Sequence, residues 1–231
     1  MFELSTAEWT AILLSLRVAT VATLVATPLG IALAWLLARR EFWGKSVLDA
    51  AVHLPLVLPP VVTGYLLLLT FGRRGLVGAW LADHLGIVFA FRWTGAALAC
   101  GIMAFPLLVR PIRLSIEAVD RRLEQAAGTL GAAPWQVFAT VTLPLELPGV
   151  QAGMVLGFAK AIGEFGATIT FVSNIPGETQ TIPSAIYSLI QTPDGDTAAL
   201  RLVLVSIVIA LAALVGSEWF ARRATRRLHG N

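Results

Sequence analysis

Five predominantly apolar stretches organise this chain: residues 11–37, 47–71, 94–114, 149–172 and 198–220. A hydrocarbon core ~30 Å thick is crossed by about 20 helical residues, so each stretch predicts a membrane span. The expected fold is therefore all-α, a polytopic membrane helix bundle with five full spans, forming one transmembrane domain over residues 1–231. A soluble core could not hide this surface: 57% of the residues are hydrophobic and only 13% charged. Trp9, Trp35, Trp43, Trp93 and Trp219 fall near the ends of the stretches, where interfacial aromatics belong. Two shorter apolar pieces, 75–91 and 182–190, predict interfacial or partly inserted helices.

The net charge of +3 does not point to nucleic acid, because the basic residues lie between apolar stretches rather than along one polar face. They act as topology signals. One set of loops holds Arg39, Arg40, Lys45, Arg110, Arg113, Arg121, Arg122, Arg222, Arg223, Arg226 and Arg227, the opposite set only Arg73, Arg74 and Arg92. Basic residues near span ends stay in the cytoplasm, which predicts an external N-terminus, a cytoplasmic C-terminus and a cytoplasmic loop over 115–148. Glu3 and Glu8, with no Lys or Arg before residue 10, argue against a cleaved secretory signal, so the first stretch reads as a retained span. Cys100 is the only cysteine, so no disulfide or cysteine metal cluster forms within one chain.

The 115–148 loop carries the most specific pattern. Leu123, Ala126, Ala127 and Leu130 recur at i, i+3, i+4 and i+7, one narrow helical face. Gly131 is placed to end that helix, and Pro134 suits the first turn of a second one, where its missing N–H costs nothing. A short helix, a tight turn and another short helix are expected. Periodicity alone also fits an ordinary amphipathic connector.

The order of residues in this loop resembles the EAA loop of type I ABC importer permeases. There an acidic-Ala-Ala opening is followed by a glycine and then by an aliphatic-x-Leu-Pro close. Ala126 and Ala127, Gly131, and Val141, Leu143 and Pro144 match at the right spacing; Gln125 stands where the family carries its acid, with Glu124 one position earlier. The segments His53-Leu-Pro-Leu-Val-Leu-Pro-Pro60, Gly163-Glu-Phe-Gly-Ala167 and Phe171-Val-Ser-Asn-Ile-Pro-Gly-Glu-Thr179 are similar to stretches of molybdate importer permeases. Sulfate and thiosulfate permeases share the Gly-Glu-aromatic-Gly element.

The resemblance implies that Glu124, Gln125, Ala126, Ala127, Gly131, Ala132, Pro134, Val141, Leu143 and Pro144 form a coupling surface for cytoplasmic ABC ATPase subunits. It implies a molybdate cargo, with tungstate, sulfate or thiosulfate as alternatives, delivered by a periplasmic oxyanion-binding protein in the bacterial inner membrane. It also implies a second permease copy, as a homodimer or a heterodimer. The sequence has no GxxxxGK[ST] phosphate loop, so the chain is expected to be non-catalytic and to bind no cofactor, ATP being held by the partner.

Within the spans, Lys160 and Glu164 stand at i and i+4 and can pair, either as a neutralised packing contact or beside a translocation path. Gly149, Gly153 and Gly157 make a small-residue ladder, suited to helix packing inside one subunit or to a dimer seam. Pro55, Pro59 and Pro60 are expected to interrupt the second span, and Pro106 and Pro111 the third. Thr63, Thr168 and Thr170 could offer hydroxyls to an oxyanion or simply back-bond to their own helices. Arg73, Arg74 and Arg92 could meet an acidic binding protein or be solvated loop charges. A secondary transporter would need an internal repeat and a carboxylate relay, neither of which is found; the scattered His53, His84 and His229 and the absence of HExxH argue against a membrane enzyme.

Overall fold

The structure, a computed structural model, describes residues 3–228, with side chains described as far as residue 216. The side chains of Trp219, Arg222, Arg223, Arg226, Arg227 and His229, which enter the sequence argument, lie outside the described residues.

The described residues fold into eleven α-helices: α1 (Thr6–Arg39), α2 (Lys45–Val57), α3 (Pro60–Phe71), α4 (Leu76–Leu85), α5 (Trp93–Ala118), α6 (Arg121–Thr129), α7 (Pro134–Val137), α8 (Leu143–Ile162), α9 (Gly166–Val172), α10 (Ile182–Leu189) and α11 (Asp196–Leu228). A π-helical turn, Phe138–Thr142, joins α7 to α8.

Among the described residues, four helices are long and apolar enough to cross a bilayer on their own: α1, α5, the continuous run Pro134–Ile162, and α11 over Asp196–Gly216; a fifth span is reached only by counting one bent pair as a span. The second expected span, 47–71, is instead the pair α2 and α3, bent by 115°. Leu58 turns extended, Pro59 has no N–H to continue the ladder, and Pro60 starts a new helix at its first turn, where proline is tolerated. The fourth expected span, 149–172, is also broken. It starts earlier, runs through α8 to Ile162, stops at Gly163 and resumes as α9. In contrast, Pro55 does not interrupt α2, Pro106 and Pro111 do not interrupt α5, and Pro28 does not interrupt α1. Both shorter apolar pieces do form helices, although α4 ends at Leu85 because Gly86 takes a left-handed conformation.

The centre of the bundle is α5, with 61% of its most apolar stretch buried against 33% for α1 and 11% for α11. Small residues make this possible. Ala19, Ala22, Ala26, Gly30 and Ala34 form a ridge on α1 that lies against α5, and a Cβ on Gly30 would collide with Leu108. The glycine ladder of α8 packs against α5 in the same chain: Gly149 faces Pro111 and Ser115, Gly153 the Leu108 carbonyl and Ile112, Gly157 the Leu108 side chain. The within-subunit reading of the ladder is the one realised.

At the opposite end from α6, α1 is pinned by polar contacts. Ser5 caps it reciprocally with Glu8, whose other carboxylate oxygen accepts from Arg201 of α11 at 2.9 Å, and Ser15 accepts from the Ile182 N–H of α10 at 2.7 Å. The first apolar stretch is thus integrated into the bundle.

Candidate coupling loop and translocation elements

The loop is shorter than the expected 115–148, because α5 persists to Ala118 and a helix resumes at Pro134. Asp120 starts α6 by accepting from the Arg122 N–H at 2.9 Å. The helix stops in a Schellman arrangement. The Ala132 N–H donates to the Ala127 carbonyl, the Gly131 N–H to that of Gly128, and Gly131 sits at φ +88°, where any Cβ is disfavoured. The second short helix expected after Pro134 is not separate: α7 continues through the π-helical turn into α8, so Val141, Leu143 and Pro144 belong to the root of a membrane helix. From Pro134 the chain is thus helical without interruption as far as Ile162.

No residue of α6 is buried. Leu123 is 50% exposed, Leu130 88% and Trp135 71%, an apolar patch with Ala126 and Gln125 also at the surface. The inward side is polar and bonded to the bundle. Glu124 Oε1 accepts from Arg39 Nη2 and from Thr142 Oγ1, both at 2.9 Å, and Arg39 Nη2 also reaches the Val119 carbonyl at 3.3 Å. Trp35 meets Phe138 edge-on at 6.4 Å, and Arg40 lies over the Trp35 ring at 5.6 Å. Glu124 thus holds the loop to α1 and the π-helical turn, while Gln125, in the family's acidic position, faces outward. A cavity of about 380 Å³ lies in this corner, bounded by Arg39, Arg40, Arg121, Glu124 and Gln125.

Sequence reasoning treats Arg39 only as a topology charge and overlooks Glu146. Glu146 is fully buried on α8, its two carboxylate oxygens have no hydrogen-bond partner, and the charges acting on it are Arg39 and Glu124. Arg39 also carries a buried Nε–H without a partner. An acid four residues before Val150 in an apolar run was the available signal.

The residues singled out within the spans divide. Lys160 and Glu164 do pair, at 2.6 Å, with the Glu164 side chain 1% exposed and Lys160 at 29%. They are not on one continuous helix, because α8 ends between them. Glu164 instead sits in the break and accepts the Ala167 N–H at 3.0 Å, satisfying a free donor at the start of α9. Thr168 and Thr170 donate to the carbonyls of Phe165 and Gly166, both at 2.9 Å, so their hydroxyl protons are committed to their own helix. Thr63 differs: it is 6% exposed and its hydroxyl has no partner. The two broken spans meet here, since a Cβ on Gly64 would crowd Ala167 and Thr170, and one on Gly166 would crowd Pro60. Thr63 and Thr170 are thereby brought to one junction, α3 against α9.

The model of the binding-protein-dependent transport system inner membrane component family matches residues 26–226. The chain belongs to that family. Relatives agree over nearly the whole length of this permease-family chain. It is 61% identical to the molybdenum transport system permease protein ModB of Escherichia coli (strain K12), covering 95% of this chain and 96% of that protein. The corresponding ModB of Haemophilus influenzae is 58% identical, with 96% of each chain covered. A probable sulfate transport system permease of Nephroselmis olivacea is 35% identical over 89% of this chain. The fold is also similar to that of a bacterial ABC transporter involved in alginate import, with a TM-score of 0.74 at 20% identity over 95% of this chain.

Proposed function

We propose that this chain is the transmembrane permease subunit of an ATP-driven importer and that its cargo is molybdate. The carrying observation is the identity of 61% to a molybdenum permease over 95% of the chain, joined to a loop helix whose outward face is apolar and uncovered. In this reading α6 and its turn dock on a cytoplasmic ATPase subunit, and the rigid link through α7 to α8 carries the ATPase's closing motion into the bundle. The chain itself binds no cofactor; ATP is held by that partner.

The loop lies on the cytoplasmic side, the N-terminus outside, and two copies of the chain enclose the path. The α3–α9 junction, with the free hydroxyl of Thr63 and the Lys160–Glu164 pair beside it, faces that path. A periplasmic protein delivers the ion at the opposite end, where Arg73, Arg74 and Arg92 meet its acidic surface. Energetics favour active import. Moving a dianion inward against 100 mV of inside-negative potential costs about 4.6 kcal/mol before any concentration gradient.

The test is ATP hydrolysis and radiolabelled molybdate uptake in proteoliposomes holding this chain with its ATPase and binding protein, wild type against Gly131→Asp. The expected result is ATP-dependent uptake in the wild type, and assembly without coupled uptake in the variant. Uptake without an ATPase, or an unimpaired variant, would sink the coupling role. Excess sulfate that competes as well as unlabelled molybdate would move the cargo to sulfate.

A further inference from the structure

Arg17 lies on α1, inside an apolar run, with its side chain exposed. Among the described residues it makes no ion pair and no hydrogen bond; its guanidinium centre stacks 3.7 Å from the centroid of the Trp93 ring. That aromatic face is its one described partner, which leaves the edge of the guanidinium without an acceptor. Arg92 precedes Trp93 in the chain and is exposed as well.

Next to the Arg17–Trp93 stack runs an apolar groove. Val21, Val25 and Leu29 follow Arg17 at steps of four along α1, and Ala97, Gly101 and Phe105 follow Trp93 at the same step along α5. These residues and Trp93, though not Arg17 itself, line one cavity of about 620 Å³, to which α2 adds Ala51, Val52 and Pro55. Its volume is within the range of ~300–1,000 Å³ that holds small ligands. From Trp93 to Phe105 the groove extends about 18 Å at 1.5 Å per helical residue. Half a hydrocarbon core is about 15 Å, so the groove is as deep as one leaflet.

The depth of Arg17 agrees. Arg39 is bonded to the loop, and Arg17 stands about 33 Å from it along α1 at 1.5 Å per residue. That separation matches the ~30 Å core, which puts the Arg17 guanidinium at the phosphate level of the leaflet remote from α6.

We propose that this groove is a phospholipid site: Arg17, steadied on Trp93, binds the headgroup phosphate, and one acyl chain lies between α1 and α5. The chemistry fits each part. A guanidinium stacked by one face keeps its edge N–H donors free for two phosphate oxygens, which an ammonium could not engage as a fork. A tryptophan at this depth presents an apolar body to the chain and a polar edge to the headgroup. The positive charge selects an anionic lipid such as phosphatidylglycerol over an uncharged one.

Native mass spectrometry of the purified, detergent-solubilised permease, titrated with phosphatidylglycerol or with diacylglycerol of the same chains, tests this. The variants are Arg17→Gln, Arg17→Lys and Val25→Trp; Val25 is 61% exposed, so the last change fills the groove without entering the packed core. Wild type should hold phosphatidylglycerol about tenfold more tightly than diacylglycerol, and millimolar inorganic phosphate should not displace it. Arg17→Gln should erase the preference, Arg17→Lys should keep part of it, and Val25→Trp should remove both lipids. Equal lipid retention in all four proteins would overturn the proposal. So would a Val25→Trp protein that keeps its lipid but loses its oligomer in the same spectra, because the groove would then belong to a second copy of the chain.

Discussion

Replacing Arg39 by glutamine tests whether the loop is held to the bundle by charge. Its side chain is 8% exposed and that of Glu124 21%, so the 2.9 Å contact is shielded from solvent on one side and partly wet on the other. Removing one partner of a buried pair costs about 3–5 kcal/mol, because the remaining charge is left uncompensated. The wet side of Glu124 places the expected loss near the lower end, about 3 kcal/mol. Glu146 adds to it, since this buried carboxylate has no hydrogen-bond donor and would lose the nearby cation as well.

Glu124→Gln is milder. Its amide oxygen still accepts from Arg39 and Thr142, so only charge assistance is lost, about 1 kcal/mol. For a chain of this size ~2–4 °C accompanies each kcal/mol, so the first change should lower the melting temperature by roughly 6–12 °C and the second by roughly 2–4 °C. Adding Glu146→Leu to Arg39→Gln removes the stranded acid and should recover part of the loss. Thermal unfolding of the solubilised permease, followed by fluorescence-detected size exclusion, reads all three. If Glu124→Gln costs as much as Arg39→Gln, or the added Glu146→Leu makes matters worse, the charge argument fails.

Gly153→Val should wedge α8 from α5, since its Cβ would stand 2.6 Å from the Leu108 carbonyl oxygen, and overpacking of this kind costs about 1–3 kcal/mol. Gly216→Val meets nothing within 4 Å and is expected to leave expression and monodispersity unchanged in the same preparation. Lys160→Met strands the Glu164 carboxylate and should lower the melting temperature, whereas Lys160→Met with Glu164→Gln should recover most of it, the amide still accepting the Ala167 N–H. Equal losses in the single and double variants would show that the pair's charge is not what stabilises the break. Gly64→Ala forces α3 off the backbone of α9 and should reduce uptake in proteoliposomes without dissociating the ATPase.

How much of this was legible in the sequence follows from what each signal measures. Hydropathy reports composition along the chain, so it locates apolar runs well and says nothing about their direction. Residues 47–71 and 149–172 are each apolar enough to span, and each is broken. The causes are local and were in view: Pro59-Pro60 in one, Gly163-Glu164-Phe165 in the other. Yet Pro28, Pro106 and Pro111 sit inside intact helices, so proline alone does not decide. At 59–60 two successive residues lack the N–H, and the chain resumes with a helix whose first turn needs none. Around Pro106 and Pro111, by contrast, α5 is enclosed by α1 and α8 on its Gly and Ala faces, and that packing holds the helix through each lost bond.

The loop was the most legible region for the same reason in reverse. A left-handed glycine and a first-turn proline are one-turn effects that depend on adjacent residues, and α6 stops at Gly131 and a helix resumes at Pro134 as they specify. What the local signals could not reveal is which side of α6 faces inward. That is decided by Arg39, 85 positions earlier in the chain than Glu124, and it turns Glu124 toward the bundle, leaving Gln125 and the apolar patch exposed. The apolar stripe read from periodicity is thus a free surface rather than a buried one.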